Sequence, residues 1–223
     1  MNIADKLTTI AENVQRVYDA GKAAGGGGEV VATDPLFYAT SLSSAYKQAT
    51  FPENHSLVIK VKKMPAEFYQ AFYQSTGLKS VKFVSEDKSS AFAFNQALRE
   101  CADLEEVDLT ECSRNVSRLD YAFYSDNKLK SIRGALDLTG CTNCNYGFFT
   151  PYLEEVEFVP NTISVDIRFN SPSLTDASVQ SIIGGLVDLT GSTAKTLTLN
   201  GVGPKLTDAQ KATITAKNWT LAV

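Results

Sequence analysis

The chain has 223 residues, 43% hydrophobic and 21% charged, which is enough apolar material for one large core. Its net charge of −4 excludes the basic surface that nucleic-acid binding requires. One histidine and four cysteines exclude a disulfide framework and most histidine chemistry, and no apolar run approaches the roughly 18–20 residues of a membrane span.

The first element is a helix over residues 3–22. Ile3, Leu7, Ile10, Val14 and Val17 are spaced 4, 3, 4 and 3 apart, an a/d seam with polar residues between. With Leu7 and Val14 at a, and Ile3 and Ile10 at d, the seam favours three or more strands. A surface helix docked on its own domain has the same pattern. "AAGGGG" then ends the helix and supplies a flexible link over residues 23–28, which suits a tethered anchor better. The glycine run fits neither phosphate-loop spacing. The start "MNIADKLTTI" lacks the basic, apolar and small-residue regions of a secretion signal, so a chain that stays where it is made is expected.

Residues 29–54 contain "TDPLFYATSLSSAYKQA", where Asp34 can cap a helix and Pro35 occupy its first turn. This segment is expected to cap the N-terminal end of the repeats beyond it.

From there the chain repeats. A small residue, then an aromatic or leucine, then a further leucine recur as Ala71-Phe72 with Leu78, Ala97-Leu98 with Leu104, Ala122-Phe123 with Leu129, and Gly147-Phe148 with Leu153. The small residues lie 26, 25 and 25 apart, and Phe68, Phe94, Leu119 and Cys144 each precede one by three. Ala45-Tyr46, with Leu42 and Phe51, reads as a degenerate earlier copy. Each leucine opens a short alternating strand: "LKSVKF", "LEEVDL", "LKSIRG" and "LEEVEF". A second echo, "VDLTEC", "LDLTGC" and "VDLTGS", leaves two registers open for the strand around Ile132.

A fixed period near 25 residues with this pattern is a leucine-rich-repeat signature. One unit cannot bury its apolar edge alone, so stacked units share a core and align their strands in a parallel sheet. The expected fold is α/β: a leucine-rich-repeat solenoid with short parallel strands over residues 29–172, preceded by the helix and closed by a helix–strand cap over residues 173–223. In that cap Val179, Ile182, Ile183 and Leu186 have helical spacing after "LTDA". "KTLTLNGV" reads as a strand, and a second "LTDA" brings Thr207 and Gln210 into capping-box spacing. Asn218 ends that helix, and "WTL" closes as a strand.

The phrase "AF-x-x-x-x-x-L-x-x-V" resembles the BspA-like leucine-rich repeat of bacterial and phage proteins over residues 45–170. Both chain ends, "MNIADKLTTIAENVQRVYDAGK" and "LTDAQKATITAKNWTLAV", resemble those of phage and prophage tail-associated proteins that carry such repeats. The resemblance implies a virion component, made in the bacterial cytoplasm and displayed at the tail or baseplate. Its implied partners are tail or baseplate proteins, copies of itself through the N-terminal helix, and a host surface glycan or protein. A bacterial cell-surface or secreted adhesion protein is the alternative.

No catalytic motif is apparent and no cofactor is expected. Cys141 and Cys144 form a C-x-x-C, and Cys112 occupies the matching position one unit earlier. Zinc, a redox pair and buried thiols all fit that spacing, with buried thiols expected. His55 is expected at the surface or in the cap. On the strand face, one column reads Lys79, Glu105, Lys130, Glu154 and another Lys82, Asp108, Arg133, Glu157, so signs alternate from strand to strand. Between them run Ser80, Glu106, Ser131 and Glu155. This pattern fits a self-neutralising ladder that sets register or a recognition face for a glycan or protein. Glu105 and Glu106, as consecutive strand residues, are expected on opposite faces, unlike a catalytic carboxylate pair.

Overall fold

Val81, Val107, Ile132 and Val156 lie side by side as Cα partners across four neighbouring parallel strands. This single row fixes how the repeats stack. The computed structural model describes residues 30–32 and 41–223. The seam of Ile3, Leu7, Ile10, Val14 and Val17, the glycine link, and the helix start at Asp34 and Pro35 lie outside the described residues.

In chain order the elements are β1 (Val30–Ala32), β2 (Thr50–Lys63), β3 (Thr76–Asp87), β4 (Phe92–Ala93), β5 (Glu106–Glu111), β6 (Val116–Arg118), β7 (Ser131–Leu136), β8 (Glu155–Phe158), β9 (Ile167–Phe169), α1 (Asp176–Gly185), β10 (Lys195–Leu199), α2 (Asp208–Ala216) and β11 (Trp219–Ala222). Among the described residues the fold is mixed α/β with mostly parallel short strands, few helices and no closed barrel. The largest sheet runs β1-β2-β3-β5-β7-β8, a second runs β11-β10-β9, and β4 pairs with β6.

Between the strands of the largest sheet the chain forms tight turns that stack as regularly as the strands. The amides of Tyr46, Phe72, Leu98 and Phe123 donate to the carbonyls of Ala71, Ala97, Ala122 and Gly147, at 2.6, 2.7, 3.0 and 3.0 Å. A small residue is needed at that carbonyl because neighbouring turns approach closely. A Cβ on Gly147 would come within 2.6 Å of the Leu119 carbonyl oxygen. The residue before each small residue is left-handed: Ser44, Gln70, Gln96, Tyr121 and Tyr146 all have φ between 54° and 58°. That conformation is costly for a residue with a side chain. The turns offset part of the cost through side-chain ladders, with Gln70 Nε2 donating to Gln96 Oε1 at 3.0 Å and Gln74 Nε2 to Glu100 Oε2 at 2.8 Å.

The core fills the space between the sheet and the turns. Phe83 of β3 meets Phe68, Phe72 and Phe94 of the turn layer with centroids 5.5, 6.4 and 5.5 Å apart. At the far end Phe148 packs on Phe158 at 5.7 Å and Phe169 at 4.8 Å. Burying each of these rings contributes about 1.5–3 kcal/mol relative to exposure. The apolar core is continuous from Leu42 to Trp219.

Helix α1 covers the β8 edge. Ser178 Oγ accepts from the Val156 amide at 3.0 Å, and Ser181 Oγ from the Phe158 amide at 2.9 Å. These two serines satisfy edge amides that would otherwise template another strand. Thr175 caps α1 through the Ser178 amide, and Thr207 and Gln210 form a capping box on α2. β9, β10 and β11 form their own sheet and do not extend the large one.

Several expectations need correction. Of the two registers left open around Ile132, strand pairing selects that of "LKSIRG", and the second echo has a different common feature: Asp108, Asp137 and Asp188 each accept from the amide two residues on, Thr110, Thr139 and Thr190, at 2.9, 2.9 and 2.8 Å. The shared "DLT" therefore marks an Asx-turn, and Ile132 of "LKSIRG" holds the third strand position. Residues 43–48 form a turn of the repeating type. β2 begins at Thr50, upstream of His55. His55 is therefore a buried strand residue stacked on Phe51 at 5.4 Å, and burial lowers its pKa.

Candidate functional site

The strand face brings the predicted charges together in part. Ser80, Glu106, Ser131 and Glu155 are Cα partners in sequence, as are Lys82, Asp108 and Arg133. Lys79 pairs with Glu105 at 3.7 Å, and Lys82 with Asp108 at 3.8 Å and Glu111 at 2.5 Å. Arg133 reaches Glu106 at 3.6 Å and Asp108 at 3.5 Å. Asp108 is the centre of this network: its carboxylate is buried, yet it also accepts from the Thr110 amide. Burial opposes its charge. The bonds from Thr110 and the cations Lys82 and Arg133 outweigh burial and hold its pKa below the usual range.

The ladder stops at β8. Among the described residues, Lys130, Glu154, Glu155 and Glu157 make no ion pair. Glu155 and Glu157 instead line a groove of about 640 Å³ where β7 and β8 meet α1, together with Thr110, Arg114, Arg133 and Gly134. The strand face is thus neutralised at β3 and β5 and open at β8. Glu105 lies just before β5, so strand alternation does not separate it from Glu106. Both carboxylates reach the solvent side, where they bind different cations, Lys79 and Arg133.

The opposite, turn-side surface carries a second ladder that the charge columns do not reveal. The residue after each core aromatic or leucine stacks with its equivalent in the next unit. Arg99 lies over Tyr73 at 5.4 Å and over Tyr124 at 5.2 Å, and Tyr124 stacks on Phe149 at 5.3 Å. One column over, Tyr121 stacks on Tyr146 at 5.2 Å, and the Arg168 guanidinium lies over Tyr146 at 5.8 Å. The signal is visible in "AFY", "ALR", "AFY" and "GFF", whose third residues cannot be core because the second already is.

The cysteines are all buried and unbridged. Cys101 Sγ donates to the Phe72 carbonyl at 2.9 Å and Cys112 Sγ to the Ser113 carbonyl at 3.3 Å, while Cys141 and Cys144 share a hydrogen bond at 3.2 Å. Burial pushes the Cys112 thiol up to about 12. The bond from Cys144 lowers the Cys141 pKa and raises that of Cys144. Among the described residues no group of three or more His, Cys, Asp or Glu side chains is placed to hold a metal ion, and no helix is long and apolar enough to cross a membrane. No protein-family model matches the chain, and comparisons with curated proteins and with solved structures found no match.

Proposed function

We propose that the chain is a BspA-like leucine-rich-repeat solenoid of the phage or prophage tail-associated type, and that it is a non-enzymatic binding component of the particle. The strand face is its recognition surface, and the groove beside Glu155 and Glu157 is the place where a host glycan or protein engages it. The N-terminal helix joins copies of the chain to one another or to a tail or baseplate protein. One observation carries this reading: equivalent residues of successive repeats lie side by side, and the ion-pair ladder that occupies the first strands leaves the last one free.

Binding of the full chain to arrays of bacterial surface glycans tests the reading. A saturable ligand is expected, with binding lost in a Glu155→Lys, Glu157→Lys variant. Wild-type binding that survives both this variant and charge reversal at Lys82 and Arg133 removes the strand face as the site. Antibody labelling of purified tail particles tests the setting, and particles without the chain refute it.

A further inference from the structure

The turn-side column ends in a pocket separate from the strand-face groove. Beyond Tyr146 a cavity of about 160 Å³ is lined by Asn145, Tyr146, Asp166, Arg168, Thr196 and Thr198. That is the space of about five liquid waters, enough for one sugar ring and too small for a drug-sized ligand. The sheet β9-β10 supplies its floor. Ile167, Phe169, Leu197 and Leu199 turn into the core, so Asp166, Arg168, Thr196 and Thr198 stand on the outer face.

Arg168 is the unusual member. Its Nε is buried without a hydrogen-bond partner, and Arg168 makes no ion pair among the described residues. An unsatisfied buried donor is costly and rare in native proteins. Its guanidinium is held in place over Tyr146, itself fixed by Tyr121. The side chains of Asn145, Thr196 and Thr198 also make no hydrogen bond among the described residues. Asp166 uses Oδ1 to accept from the Thr196 amide at 2.6 Å.

We propose that this pocket seats the ring and carboxylate of a carboxylated sugar residue, a uronic or nonulosonic acid, with the carboxylate on Arg168 and substituents beyond the ring left outside the pocket. A planar guanidinium pairs with a carboxylate in a two-pronged fashion. The neutral hydroxyls and amide around it suit a polyhydroxylated ring. Asp166 opposes any anion, a dianionic phosphate or sulfate more than a monoanionic carboxylate, and only a ligand with a ring hydroxyl offsets this by donating to it. This site lies on a different surface from the strand-face groove and stands or falls separately from it.

Titration of the full chain with sodium glucuronate, N-acetylneuraminate, glucose and inorganic phosphate tests the proposal. One of the two sugar acids is expected to bind saturably, with glucose and phosphate at least about tenfold weaker. Arg168→Gln is expected to lose at least about tenfold in affinity for that sugar acid. Should Arg168→Gln fold poorly, Thr198→Val probes the same pocket, with a severalfold loss expected. The proposal is overturned if neither sugar acid binds, if phosphate binds as tightly as the sugar acid, or if folded variants at Arg168 and Thr198 bind like the wild type.

Discussion

The amide of Cys101 donates to Oδ1 of Asp126 at 2.7 Å, and both residues are fully buried. Oδ2 of Asp126 has no hydrogen-bond partner among the described residues. Its neighbours in the stack, Ser75, Cys101 and Thr150, each donate to a carbonyl of an adjacent turn. A protonated Asp126 gains a donor like theirs, and burial drives its pKa well above the usual carboxylate value. The native state therefore holds a proton that the unfolded chain releases near pH 4. Its contribution to stability is complete below that pH and is lost as pH rises toward the folded pKa, by up to about 1.4 kcal/mol per pH unit. Asp126→Asn removes this dependence. Urea unfolding at pH 5 and pH 8 should show the variant gaining on the wild type as pH rises, and parallel behaviour would sink the assignment.

Asp108 should behave in the opposite sense. Its pKa is depressed, so its contribution is present above the unfolded value near 4 and is lost as pH falls through the folded one. Asp108→Ala removes the Asx-turn acceptor and the shared partner of Lys82 and Arg133, and should cost about 1–2 kcal/mol at pH 7. Asp108→Asn keeps the acceptor and should cost less in the same urea titration. Equal losses would mean that the ion pairs account for the whole effect and the turn for none of it.

Gly134 has φ 98°, and a Cβ there would lie 2.8 Å from the Leu109 carbonyl carbon. Gly134→Ala should destabilise by about 2 kcal/mol or more. Gly140, whose Cβ would meet nothing within 4 Å, serves as the control. Gly140→Ala should be neutral or stabilise by about 0.4–1 kcal/mol. Thermal melts of the two variants that coincide would refute the close approach of β5 and β7.

Cys141 and Cys144, with sulfurs 3.2 Å apart, need little movement to reach a disulfide length near 2.05 Å. Treatment with diamide should remove two of the four thiols, with both protons and electrons passing to the reagent. Peptide mapping should find the Cys141–Cys144 bridge, and Cys141→Ser should abolish it. Loss of Cys101 or Cys112 first would contradict their burial.

The seam of Ile3, Leu7, Ile10, Val14 and Val17 predicts self-association. Solution mass should give a trimer or larger species for the full chain and a monomer for a version starting at Glu29. Monomers in both cases would remove the anchor.

Much of the architecture was legible in the residues. The 25–26-residue spacing of Ala71, Ala97, Ala122 and Gly147 placed the turns, and the apolar positions Val81, Val107, Ile132 and Val156 placed the strands, because burial periodicity is a local property of sequence. The helix starts at Thr175 and Thr207 were equally readable, since a cap is made by residues three apart. The "DLT" echo left the register around Ile132 open because an Asx-turn and a strand end share the same letters, and only backbone pairing separates them. His55 was misplaced because β2 carries bulges between Thr50 and Ser56 that break alternation.

By itself, then, the sequence determined the repeat, its core positions and its signs of charge. Tertiary structure decided which charges meet, since whether Arg133 reaches Asp108, or Glu157 reaches any cation, depends on how far each side chain extends across a strand boundary. It also decided the Arg168 pocket, whose members come from residues 145–198. No local pattern links them, because parallel stacking brings residues a full repeat or more apart into contact.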